Sequence, residues 1–367
     1  MDFTPSPAQQ LLVATARDVL RRHYPIERAQ ALALDERGFD DTLWDQMAEL
    51  GWPGLLVPPA FGGSGGSLLD VVLLVEEMGH ACLAGPFITS AVVATSLIAA
   101  AGTPAQQKRV LPALAAGERI ATLACLEESG AFDGDVALAC DVPGRLHGRK
   151  LFVKDAHVAH DLLVAVRRGA DLAVLLVPAD RAGVTRLPLD TMSGEKLFEV
   201  AFDGVAVGSD DLLAPADAAA ALASALEAGA LARTAEMVGG AQRILDTVVE
   251  YAKTRVQGGR PIGGYQAIQH ACADCVRDVD AARGLLHAAA WKASEGLPAA
   301  PDVALAKAYA GEACLAVARR GHQILGAIGY CEEHPLQLFH KRIQAASVDF
   351  GDAALHLETV ARSIGLV

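Results

Sequence analysis

Residues 251–274 read Y-A-K-T-R-V-Q-G-G-R-P-I-G-G-Y-Q-A-I-Q-H-A-C-A-D. A helix with a basic end runs into a glycine-rich break that holds Arg255, Gln257 and Arg260, and a second helix opens near Tyr265 and Gln266. That order builds a pocket wall. Glycine lets backbone approach a ligand, arginines pair with phosphate oxygens, and a helix start offers unpaired N–H groups to an anion. The junction suits a pyrophosphate. A loop between two surface helices is the competing reading of the same residues.

Working outward, the first third of the chain reads as helices. Ser6, Pro7 and Gln9 spell a helix start, with Leu12, Ala16, Val19 and Leu20 on one face behind it. Further helices are expected from Asp41 to Leu50, stopped by Gly51, from Leu68 to Met78, and from Thr103-Pro104 onward. After Gly117 short apolar runs alternate with turn residues: Ile120 to Leu126, Leu151 to Val153, Leu162 to Val166, Leu172 to Val177 and Leu197 to Phe202, with R-R-G-A-D at 167–171 as a hairpin turn. From about Pro215 helical periodicity returns, broken at 258–264, 295–301 and 326–335. Segregated helices and strands predict an α+β multidomain fold, not an alternating sheet. The expected domains are an N-terminal helical domain at 1–118, a central β domain at 119–214 and a C-terminal helical bundle at 215–367.

Composition narrows the function. The chain has 367 residues, enough for more than one core, since single cores rarely exceed roughly 250. At 52% hydrophobic it is apolar enough to expect burial against another subunit. A net charge of −13 argues against nucleic acid as partner, so any anionic ligand must be held by local arginines. Seven scattered cysteines fit a reducing cytoplasm. Cys272 and Cys275 form a C-x-x-C inside a helical stretch without a second ligand pair, so no metal site is expected. Neither a secretory signal nor a membrane span is expected; the most apolar stretch, near 88–101, is too short.

Three separated motifs carry a resemblance. Residues 50–70, L-G-W-P-G-L-L-V-P-P-A-F-G-G-S-G-G-S-L-L-D, are followed by E-E-M-G at 76–79; the Arg255 segment comes next; and Q-I-L-G-A-I-G-Y-C-E-E-H-P-L-Q-L occupies 323–338. In this order they resemble the acyl-CoA dehydrogenase family of flavoproteins over nearly the whole chain. The resemblance implies that family's fold: an N-terminal helical domain, a central β domain and a C-terminal four-helix bundle that oligomerises. It implies FAD as cofactor, held by Arg255, Gln257 and Gln266, with Gln323 and Gly326 against the adenosine half from a neighbouring subunit. Leu126, Glu127 and Ser129-Gly130 would lie at the flavin ring, and Phe152 and Val153 would match the segment bearing an aromatic residue against it; ordinary strand packing is the alternative for these. Gly258 stands where the family usually has phenylalanine, Ala327 where it has glycine and Cys331 where it has threonine.

The chemistry so implied is removal of an α-proton from an acyl thioester by a carboxylate while a hydride leaves the β-carbon. In many relatives the base is a glutamate near the C-terminus, yet D-F-G-D at 349–352 puts Phe350 there. Other relatives carry it on the helix before the Arg255 loop, where this chain has Gly229 or Ala230. Glu236, flanked by Ala232 and Gly240, is the expected base, with a solvated surface role as the alternative; Asp349 and Asp352 are weaker candidates. His340, Lys341 and Arg342 read as a solvated basic helix start, His270 as a surface histidine and Asp274 as a bundle residue. The expected function is FAD-dependent α,β-dehydrogenation of an acyl-CoA, as in β-oxidation of fatty acids or steroid side chains, with electrons passed to an electron-transferring flavoprotein. The expected assembly is a homo- or hetero-tetramer, the latter with a homologous sister subunit. Alternatives are a non-catalytic partner subunit and a flavin oxidase or monooxygenase on the same scaffold.

Overall fold

The computed structural model describes residues 4–130, 132, 136–214 and 218–366. Helices α1 (Pro7–His23), α2 (Ile26–Leu34), α3 (Asp41–Glu49), α4 (Leu68–His80), α5 (Thr95–Ala101) and α6 (Pro104–Ala115) come first. Strands β1 (Ala121–Ala124), β2 (Gly144–Lys154), β3 (Asp161–Arg168), β4 (Asp171–Pro178), β5 (Val184–Leu189) and β6 (Leu197–Val207) follow. Helix α7 (Ala218–Thr254), a small hairpin of β7 (Val256–Gln257) and β8 (Arg260–Pro261), and helices α8 (Gln266–Ser294), α9 (Ala300–Leu325), α10 (Leu336–Val348) and α11 (Ala353–Ser363) complete the chain. Two compact units result: Met1–Ala31, Leu68–Leu83 and Ala230–Val367 form one, and Leu32–Ser67 with Ala84–Gly229 the other.

The first unit is helical. Its α1 starts on the capping box expected from Ser6 and Gln9, with the Gln9 N–H donating to Ser6 Oγ at 3.2 Å and the Ser6 N–H to Gln9 Oε1 at 2.9 Å. Two open donors of the helix start are thereby satisfied. In α4 the run Val71–Val75 is buried throughout, as an interior helix requires. It crosses α7 at backbone contact: a Cβ on Gly79 would lie 2.3 Å from the Glu236 carbonyl oxygen, and one on Gly239 would lie 2.0 Å from that of Glu76. Any side chain at either glycine would push the helices apart. Helix α9, lined by buried alanines, packs against α8, α10 and α11. So α7–α10 form the anticipated bundle, and α11 is an addition laid on α9.

The second unit is built around two small sheets. One has the order β1-β3-β4, with β1 parallel to β3; the other is antiparallel, in the order β2-β6-β5. Their alternate side chains, among them Leu146, Val164, Leu175, Phe198 and Val200, form a shared core. The hairpin expected at 167–171 joins β3 to β4, with Arg168 opposite Asp171. Thr103 and Gln106 make a second capping box at the start of α6.

Candidate functional site

At the Arg255 junction the chain leaves α7 and turns back at once: the Arg255 carbonyl accepts from Ile262 N–H at 2.8 Å. The turn of the β7–β8 hairpin is Gly258-Gly259, with φ of +59° and +80°, conformations that side chains strongly disfavour. A Cβ on Gly258 would also sit 2.4 Å from Tyr265 Oη. That hydroxyl donates to the Gln257 carbonyl at 3.0 Å, and the Arg260 guanidinium lies 4.1 Å over the Tyr265 ring. The family's phenylalanine at this position is therefore incompatible with the local hairpin.

Arg255, Gln257 and Gln266 are all exposed. Among the described residues the Arg255 guanidinium has no hydrogen bond or ion pair. Tyr265, the N-cap of α8, gives no side-chain hydrogen bond to the helix start. An unpaired guanidinium next to an uncapped helix N-terminus fits a dinucleotide phosphate.

At the end of α9, Gln323 is exposed and Gly326 begins a short 3-10 turn that ends at Tyr330. Beneath it His322 stacks on Tyr330 at 4.8 Å and meets His340 Nδ1 through Nε2 at 2.9 Å. Burial holds both imidazoles below their ordinary pKa range. His340 is thus part of the loop's support, not a solvated turn. Gln323 and Arg255 share no bond among the described residues of one chain.

In the sheet unit, Leu126 and Phe152 come together. The Leu126 carbonyl accepts from Leu151 N–H at 2.9 Å, and the Phe152 ring passes 3.6 Å from the Cβ position of Gly130. Phe152 sits at a register break between Lys150 and Val153, with φ +54° and 44% exposure. A phenylalanine in the left-handed region is strained, and its ring is shown to solvent instead of the core. Glu127 anchors the same loop, accepting from the buried Lys150 Nζ at 2.6 Å and from Ala137 and Leu138 N–H at 2.9 Å each. Burial alone would raise the Glu127 pKa; these donors outweigh it and hold the carboxyl below its ordinary range.

Glu236 faces no open space. Its carboxylate is bonded to Arg233 Nη1 and, at 3.1 Å, to Arg342 Nη2, and its side chain is 10% exposed. The room expected above it, beside Gly240, is filled by Ile343 and Phe339 of α10, leaving a cavity of about 10 Å³. That is space for a water at most. Arg342 is itself buried and also donates to the Leu83 carbonyl at 2.8 Å, so the expectation of a solvated basic turn at 340–342 fails here as well. Arg233 Nε donates to Asp349 Oδ2 at 2.6 Å.

The residues after Asp349 are clamped. Lys307 Nζ, 1% exposed, donates to the Ser347 and Gly351 carbonyls at 2.8 and 2.9 Å. His356 Nε2 meets the Phe350 carbonyl at 3.0 Å, and Asp352 caps α11 through Leu355 N–H. Burial pushes the Lys307 ammonium down to about 8. Sequence reasoning missed Arg233 and Lys307 and placed Arg342 on a solvated turn; Arg233 and Lys307 lie 116 and 40 positions from their partners, and only the fold brings them to D-F-G-D.

The model of the acyl-CoA dehydrogenase N-terminal domain matches residues 6–118, and that of the C-terminal domain matches 219–365. Acyl-CoA dehydrogenase FadE27 of Mycobacterium tuberculosis is 30% identical over 99% of this chain and 99% of its own length. A chain of the ChsE4-ChsE5 complex from Mycobacterium tuberculosis is 30% identical and superposes with a TM-score of 0.92 over 100% of both chains. A variant of the Tcur3481-Tcur3483 steroid ACAD is 31% identical, with a TM-score of 0.88 over 97% of each chain. The chain belongs to the acyl-CoA dehydrogenase family of FAD flavoproteins. Among its described residues no helix is long and apolar enough to cross a membrane.

Proposed function

We propose that this chain is the FAD-holding subunit of a heteromeric acyl-CoA dehydrogenase whose carboxylate base comes from a sister chain. The contrast between an exposed, unpaired guanidinium at Arg255 and a locked carboxylate at Glu236 carries this reading. Arg255 and the open N–H groups of α8 hold the pyrophosphate, with Gln257 and Gln266 beside it; Gln323 and Gly326 serve the adenosine end across a subunit boundary. The exposed Phe152 ring beside the Leu126 loop supports a flavin contact by the sheet unit. FAD held there would supply the hydride acceptor for the thioester β-carbon, with an electron-transferring flavoprotein as the onward acceptor.

Glu236 is a counter-ion in this reading. A carboxylate shared by two guanidiniums has its oxygens engaged by their N–H donors and is held in place by them. Asp349 is engaged in the same network and Asp352 in a helix cap, so none of the three expected candidates stands open, which supports a base supplied by another chain. Likeness to a steroid dehydrogenase makes steroid side-chain thioesters the first substrates to try. Free cysteines throughout the described chain support action in the cytoplasm.

The test is purification alone and with a co-expressed sister chain, followed by anaerobic addition of acyl-CoA. The mixed complex should be yellow and bleach; Glu236→Gln in this chain should leave bleaching intact. Bleaching by this chain alone, abolished by that substitution with FAD retained, would overturn the shared-base reading. Hydrogen peroxide formed stoichiometrically in air would assign an oxidase instead.

A further inference from the structure

The helical unit holds a second recess, lined by the C-terminal half of α1, the α1–α2 turn, the end of α4, and residues of α7 and α10. Its volume is about 280 Å³. The floor is apolar: Leu20 and Tyr24 are 2% exposed and Phe339 4%, with Ile26 on one side. The rim carries charge, most of it already matched. Arg17 is held by Glu77 through Nε at 3.0 Å and Nη2 at 2.6 Å. Arg21 is drawn to Asp18 at 3.1 Å, and His80 Nε2 to Asp246 at 3.0 Å.

Arg243 differs. It is exposed, lines the recess, and among the described residues its guanidinium has no partner. A free planar fork at the mouth of an apolar recess recognises an anion attached to an apolar body. With the other rim charges matched, a single negative charge is what Arg243 is left to pair. With each heavy atom taking about 30 Å³, as water does, the space holds on the order of nine or ten heavy atoms.

We propose that this recess binds a medium-chain alkyl carboxylate, its head on Arg243 and its chain over Leu20, Tyr24 and Phe339. Arg243 lies twelve residues before Arg255 on α7, about 18 Å along a helix, so the site is separate from the FAD junction and stands whether or not the flavin reading does.

Octanoate, octanol and inorganic phosphate are titrated calorimetrically into the intact protein as purified, in low salt. Octanoate should bind, with octanol at least about tenfold weaker and phosphate weaker still, as expected when one charge-assisted bond is lost. Arg243→Glu and the recess-filling Ile26→Trp should each weaken octanoate about tenfold or more, while Arg243→Lys stays within about threefold. Circular dichroism and thermal melting establish that the variants are folded. Equal affinity for octanol, no octanoate binding, or binding unchanged in both Arg243→Glu and Ile26→Trp overturns the proposal.

Discussion

Replacing Glu236 by glutamine keeps the side chain's shape and removes its charge. Arg233 retains Asp349 at 2.6 Å, so the loss falls mainly on Arg342, whose side chain is 10% exposed and which also donates to the Leu83 carbonyl. At 3.1 Å and an effective dielectric of about 20, the lost attraction is roughly 5 kcal/mol. Breaking one side of a buried pair costs about 3–5 kcal/mol, and the surviving Asp349 contact places this case near 3. In a chain of this size that lowers the melting temperature by about 4 °C. Scanning calorimetry of wild type, Glu236→Gln and the double change Glu236→Leu with Arg342→Met is the assay. The single change should melt lower, the double change should recover most of the loss, and flavin reduction well below the melting temperature should persist in the glutamine variant. A melting temperature within about 1 °C of wild type together with lost flavin reduction would refute the counter-ion role and restore Glu236 as a base.

Lys307 gives a pH signature. Its pKa is lowered from 10.5 to about 8, so the folded state disfavours the ammonium; the resulting contribution is fully present above 10.5 and is lost as pH falls toward 8. Relative to Lys307→Met, wild type should gain about 3 kcal/mol between these limits, and a stability difference that is flat with pH would contradict it. Phe152→Gly should relieve the left-handed backbone and stabilise the sheet unit by about 1 kcal/mol while slowing flavin reduction; destabilisation in denaturant titration would show that the ring's packing outweighs the strain. Gly258→Phe should weaken FAD binding, because the hairpin must open to admit the ring, and an unchanged flavin content would show that Tyr265 simply swings away.

Local signals in the sequence carried far. The capping box at Ser6, the helix start at Thr103-Pro104, the hairpin at Gly169 and the glycine break after Arg255 each rest on residues a few positions apart, whose backbone preferences act without tertiary help. Strand β5 escaped reading because V-T-R-L-P-L mixes a proline and an arginine into too weak an alternation. Helix α2 and the π-helical run Phe87–Ala94 also went unread; the latter is apolar on all sides and so shows no period. At the site, the free side chain of Arg255 was foreseeable from its basic, glycine-rich neighbours. The burial of Glu236 was not, since its second partner, Arg342, lies 106 positions away and only the packing of α10 on α7 brings it near.

Flavin content per chain of the purified protein, measured by absorbance after gel filtration for wild type and Arg255→Ala, alone and with a co-expressed sister chain, bears most directly on the cofactor assignment. Wild type should retain FAD through the column, and the alanine variant should lose it while staying folded and assembled. Full flavin retention by Arg255→Ala would mean that the dinucleotide, if this chain holds one, lies elsewhere than on that guanidinium.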